Sequence, residues 1–132
     1  MSSPVTGIGQ IAITVSDVDR ALAFYRDILE LPFLFRPALQ LAFLDCGGIR
    51  LMLTTPQGAG AVGGNSVLYL KVHDIDASYR SLLDRGAEGA HQPRVTAALS
   101  DHTLWLAFLH DPDGNLVALM EERRRTPPST SA

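Results

Sequence analysis

Gln10-Ile11-Ala12-Ile13-Thr14-Val15-Ser16-Asp17-Val18-Asp19 is the stretch on which the reading of this chain turns. Ile11, Ile13 and Val15 point one way and Gln10, Ala12 and Thr14 the other, so Ile8 to Val15 has strand period. Ser16-Asp17 then offers an N-cap, and Asp19 adds negative charge at the positive end of a helix. Ala21, Leu22, Tyr25, Ile28 and Leu29 recur at helical spacing, which predicts an amphipathic helix over 18–29 that stops before Pro32. Val15-Ser16-Asp17-Val18-Asp19 has a counterpart in Val72-His73-Asp74-Ile75-Asp76, and Ile11 and Ile13 fall on Leu68 and Leu70.

Working outward, Leu41-Ala42-Phe43-Leu44 recurs unchanged as Leu106-Ala107-Phe108-Leu109. With two extra turn residues allowed, Arg50-Leu51-Met52-Leu53 then falls on Val117-Ala118-Leu119-Met120. Matched blocks in the same order indicate duplication of one supersecondary unit. Strands are expected over 33–36, 41–45 and 49–54, with Cys46-Gly47-Gly48 as a tight turn. In the second copy they are expected over 67–72, 104–109 and 116–120, with a helix over 75–85 ending at Gly86. Residues 88–99 show no clean period and are read as one irregular strand. Asp111-Pro112-Asp113-Gly114-Asn115 is a strong turn. The fold class is therefore α+β, two βαβββ modules expected to form a cup-shaped mixed sheet around an apolar pocket. Module one is placed at 7–56, a glycine-rich linker at 57–65 and module two at 66–122. Residues 1–6 and 123–132 are expected to be disordered.

Bulk properties narrow the function. The chain has 132 residues, 46% apolar and 19% charged, with a net charge of −3. That charge carries no footprint for nucleic acid, and no apolar run is long enough to span a membrane. The single cysteine, Cys46, rules out an internal disulfide and reads as a packing residue. These features point to a cytoplasmic location.

The segment from Gln10 to Leu29, taken with Phe108-Leu109-His110-Asp111-Pro112-Asp113-Gly114-Asn115, resembles the vicinal oxygen chelate superfamily. That group contains glyoxalase I, bleomycin-resistance proteins and extradiol dioxygenases, and the resemblance covers roughly residues 7 to 122. It implies a glyoxalase-like fold, and homodimers, which are common in the group. It also implies one divalent metal held by side chains on four strands, at positions that look like Gln10, Leu51, Val67 and Ala118. Only Gln10 of these can donate a lone pair, so no metal and no other cofactor is expected.

The candidate ligand-binding set follows from the alternation. Gln10 and Thr14 share a face; Val67, Tyr69 and Lys71 are their counterparts, Lys71 as a cation for an anionic ligand. Phe43, Leu51, Trp105, Phe108 and Ala118 are expected to line the pocket. His91 and His102 bracket the irregular segment, and Asp101 raises the basicity of His102 if the two side chains meet. Arg36, Arg50 and Arg94 are candidate carboxylate or phosphate clamps. His73 and His110 are read as serving a helix cap and a turn. No catalytic residue is assigned, and no nucleophile-base order stands out. The leading expectation is a glyoxalase/bleomycin-resistance-like protein that binds a small organic molecule without a metal. The alternatives are a metal-dependent glyoxalase-like lyase or isomerase with ligands displaced to His91 or His102, and a structural or interaction subunit with a vestigial pocket.

Overall fold

The computed structural model describes residues 4–56 and 61–124. The expectations for residues 1–3, 57–60 and 125–132 lie outside the described residues. The first unit contains β1 (Gln10–Thr14), α1 (Val18–Leu22), a π-helical turn (Ala23–Ile28), β2 (Phe33–Ala38), β3 (Leu41–Cys46) and β4 (Ile49–Thr54). The second contains β5 (Leu68–Lys71), α2 (Ile75–Asp84), β6 (Glu88–Ala98), β7 (His102–His110) and β8 (Leu116–Arg124). Each forms a four-stranded mixed sheet, in the orders β1-β4-β3-β2 and β5-β8-β7-β6. In both, the first strand runs parallel to the last and the other pairs are antiparallel. The chain is thus α+β with the expected element order. Among the described residues no helix is long and apolar enough to cross a membrane.

Local chemistry explains these elements. Asp17 caps α1 by accepting from the backbone N–H groups of Asp19 and Arg20, at 2.8 and 3.2 Å. The helix expected over 18–29 widens after Leu22 into the π turn, where Leu29 N–H bonds to Phe24 O. It ends at Glu30, whose φ of 61° is left-handed. Gly47 and Gly48 both have positive φ (61° and 95°), which the two-residue turn between Cys46 and Ile49 requires. Asp74 caps α2 through Ala77 N–H.

The core of the first unit lies on one face of its sheet. Ile13, Ala42, Leu44, Leu51 and Leu53 are buried together on the side from which α1 packs against β4. In the second unit Ala107, Leu109, Val117 and Leu119 play the same part under α2. Where α2 approaches β6, Gly89 leaves room for the Tyr79 hydroxyl, which a Cβ there would displace.

The turn Pro112–Asn115 belongs to the first unit rather than the second. Asp113 accepts from Ser16 N–H (3.0 Å) and Ser16 Oγ–H (2.5 Å), and Arg20 Nη2 donates to Pro112 O at 2.8 Å. Asn65 completes this corner: its Oδ1 accepts from Thr14 N–H, and its Nδ2 donates to Thr14 O and Asn115 Oδ1.

One expectation needs correction. β8 continues through Arg124, so Arg123 and Arg124 are strand residues, not tail. Arg123 is fixed there by Glu121 at 3.0 Å and by the Trp105 ring, 4.4 Å from its Cζ. Residues 88–98 form the single irregular strand expected, with register shifts at 89/91, 91/94 and 95/97 that account for its broken period.

Candidate functional site

Each sheet has an open face opposite its helix, and strand register decides which residues occupy it. In the first unit, pairing of Gln10 with Arg50, Ala12 with Met52 and Met52 with Phe43 places these side chains on that face. Phe35 joins from β2, its ring 4.6 Å from Phe43 between centroids. Arg50 Nε donates to Gln10 Oε1 at 3.0 Å, and its Cζ lies 5.3 Å from the Phe43 ring centroid. Gln10 Nε2 points at Met52 Sδ, 3.6 Å away. Thr14 follows on the same alternation but is buried at 6% exposure, beside the Asn65 corner.

Leu51 is not on this face. It pairs with Ile11 and Leu44 and is 2% exposed among the core residues. The expectation that it lines the site fails by one residue, because the 112–115 turn lengthens the second repeat by one position rather than two. With Ile11 matched to Leu68 and Leu44 to Leu109, the registers match Leu51 to Val117 and Met52 to Ala118.

In the second unit the open face carries a row that crosses all four strands. Tyr69 of β5 pairs with Ala118 of β8, Ala118 with Phe108 of β7, and Phe108 with His91 of β6. The Tyr69 and Phe108 rings meet edge to face at 6.3 Å between centroids, as do His91 and Phe108 at 5.8 Å. Tyr69 is 52% exposed, while Ala118 forms the buried floor between the rings. The next row is Lys71, Met120, Leu106 and Arg94, apolar in the middle and cationic at both ends. A cavity of about 210 Å³ opens beside it, lined by Lys71, Val72, His73, Met120 and Glu122. Val67, half-buried, immediately precedes β5.

Two other aromatic or basic candidates lie elsewhere. Trp105 alternates onto the helix-side face, paired with Glu121 and covered by Arg123, so it does not join the aromatic row. Glu121 Oε1 also accepts from Ile75 N–H at the start of α2, making this a structural anchor. His102 and Asp101 do meet, Nδ1 to Oδ1 at 2.8 Å, and His102 Nε2 is 3.6 Å from Glu122 Oε2. The hydrogen bond to His102 holds the Asp101 carboxyl below its ordinary value of 3.8. His102 starts β7, however, and His91 pairs with Phe108, six residues along, roughly 20 Å at strand rise. The two histidines do not converge on one ion. Burial, with Asp45 nearby, pushes the Cys46 thiol pKa up, the setting of an unreactive cysteine.

The four positions that the resemblance assigns to a metal become Gln10 and Met52 in one unit and Val67 and Ala118 in the other. They do not fit a divalent cation. Valine and alanine have no donor, and a thioether is a poor ligand for hard or borderline ions. The remaining oxygen, Gln10 Oε1, already accepts from the Arg50 guanidinium, which places positive charge where a cation would have to sit.

Comparison with known proteins agrees with this architecture. The family model described as Glyoxalase/Bleomycin resistance protein/Dioxygenase superfamily matches residues 7–119. A lactoylglutathione lyase from Agrobacterium tumefaciens superposes with a TM-score of 0.75 at 25% identity, over 90% of this chain and 96% of its own. TnmS3, an antibiotic binding protein from Streptomyces sp. CB03234, superposes with a TM-score of 0.76 at 22% identity, over 92% and 99%. The protein YraH of Bacillus subtilis (strain 168) is 25% identical over 126 residues, spanning 83% of this chain and 94% of that protein.

Proposed function

Because the chain belongs to the Glyoxalase/Bleomycin resistance protein/Dioxygenase superfamily, we propose that it binds a small, flat, largely apolar organic molecule and does so without a metal. The observation that carries this reading is the Tyr69–Ala118–Phe108–His91 row. Three rings around a side chain no larger than a methyl group give a flat molecule a stacking surface. The Tyr69 hydroxyl and the adjacent cavity, with Lys71, His73 and Glu122, supply the few polar groups that fix orientation. Lys71, named above as a cation for the ligand, lies one row from the rings. The antibiotic-binding relative supports a binding role on this fold, and the donor chemistry at Gln10, Met52, Val67 and Ala118 supports metal independence.

Calorimetric titration with 2-naphthamide, a flat neutral probe, tests the reading. Binding is expected to persist in the presence of chelator and to weaken about tenfold in Phe108→Ala. Elemental analysis is expected to find far less than one metal per chain. A stoichiometric metal whose removal abolishes binding would overturn metal independence and favour a lyase or isomerase. Undiminished binding in Phe108→Ala would remove the aromatic row from the site.

A further inference from the structure

We infer that Arg50, held in place by Gln10 and Phe43, is a carboxylate receptor on the open face of the first unit. The inference is drawn from that unit alone and goes beyond the ligand surface argued above. An exposed arginine normally spends little time in one geometry, and its side-chain entropy erodes any ion pair it makes. Arg50 is restrained on two sides. Its Nε donates to Gln10 Oε1 at 3.0 Å, and its guanidinium stands 5.3 Å from the Phe43 centroid. Gln10 is itself oriented, since its Nε2 faces Met52 Sδ and its oxygen is thereby turned to Arg50. Phe43 is 9% exposed and backed by Phe35, so the platform beneath the guanidinium is rigid.

Among the described residues no ion pair neutralises the charge on this arginine. Asp45 is its direct cross-strand neighbour, yet no carboxylate among the described residues pairs with Arg50. With Nε engaged, the two Nη nitrogens remain as donors for an incoming group. Two such donors in one plane match the two oxygens of a carboxylate. The neighbouring Phe35, Phe43 and Met52 are apolar, so the ligand joins an anionic head to an apolar body. Gln10 thus acts as a positioning residue: it orients a guanidinium in place of coordinating a metal.

The test compares 2-naphthoate with the neutral 2-naphthamide on the intact protein, by calorimetry at neutral pH and low ionic strength. Wild type is expected to prefer the carboxylate by about tenfold. With Lys71→Met present in both proteins, so that the cation beside the aromatic row cannot supply it, Arg50→Gln is expected to abolish that preference while leaving 2-naphthamide affinity unchanged. Arg50→Lys should recover only part of it, because a point charge lacks the fork. Gln10→Leu should reduce the preference about threefold without altering the charge, the signature of lost orientation. A preference that survives in Arg50→Gln with Lys71→Met present, or equal affinity for both probes in wild type, overturns the inference. Such a result leaves the aromatic-row reading intact, because that reading is tested by Phe108→Ala with the neutral probe. Binding of neither probe at about millimolar concentration overturns both.

Discussion

Replacing Leu51 with glutamate is expected to unfold the protein at neutral pH, whereas Met52→Glu, one residue away, is expected to be tolerated. Leu51 is 2% exposed on the helix-side face, while Met52 looks out beside Gln10 and Arg50. Losing the buried leucine side chain forfeits about 1.5–3 kcal/mol of transfer free energy. A carboxylate in that core stays neutral, and holding it neutral at pH 7 against an ordinary value near 4.3 costs about 3.7 kcal/mol. Burying the neutral carboxyl without a partner adds roughly 1–3 kcal/mol. Together these reach about 6–10 kcal/mol, comparable with the whole stability of a domain of this size. The folded-state pKa of this glutamate is raised, so its penalty grows as pH rises above the unfolded value and shrinks below it. Lowering the pH to about 4 should therefore return roughly 3–4 kcal/mol. Met52→Glu is expected to change stability by about 1 kcal/mol or less. Urea denaturation followed by circular dichroism at both pH values measures all of this. A stable Leu51→Glu at pH 7 together with an unfolded Met52→Glu would show that the two faces have been assigned the wrong way round.

Gly89→Ala should cost about 1 kcal/mol or less, because the Cβ meets the end of the Tyr79 side chain, which can swing aside, and adding Tyr79→Phe should remove most of that loss in the same urea assay. The Glu121 carboxyl is held below its ordinary value of 4.5, first by hydrogen bonds from Arg123 and then by Ile75 N–H. Its contribution is therefore complete above about 4.5 and lost as pH falls through the folded value, so Tm plotted between pH 6 and 3 should fall less steeply in Glu121→Gln; parallel curves would remove this group from the pH response. Asp113→Ala should lower stability by about 1–2 kcal/mol by stripping Ser16 of its acceptor, with no change in 2-naphthamide affinity; a Tm equal to wild type would make those bonds irrelevant. Cys46 should react with a thiol reagent at pH 8 more slowly than free cysteine, and a faster reaction would contradict a raised thiol pKa.

The fold was legible because its signals are local. Alternation around Ile11 and Ile13, the Asp17 and Asp74 caps and the two-glycine turn are each set by residues a few positions apart, and the repeat multiplied that evidence. The site was less legible because it depends on register, where a slip of one residue exchanges the two faces. Leu51 for Met52 was such a slip, caused by counting one turn residue too many between β7 and β8. Trp105 was misplaced for a related reason: an aromatic side chain in an apolar strand does not announce its face until the strand is paired. Arg50 stood in the sequence as an isolated cation, 40 positions from the glutamine it bonds. Only the parallel β1–β4 pairing brings them together. The Asp101–His102 contact is the opposite case, since neighbouring residues did meet as the sequence allowed.

The turn 112–115 has a consequence for the timing of folding. The first unit is not finished when its last strand has been made, because part of it lies 97 residues beyond Ser16, in the final stretch of chain. During synthesis at about 5–20 residues per second, the amino-terminal half must wait several seconds with its corner unclosed. Closing that loop carries a large entropic cost that the bonds to Asp113 must offset. A fragment ending at Ser66 is therefore expected to be cut by protease more rapidly than the same residues in the full chain, and equal resistance would contradict this account. One turn of the later stretch of chain thus belongs to the earlier unit, which is complete at Asn115, before β8 of the second unit has been made.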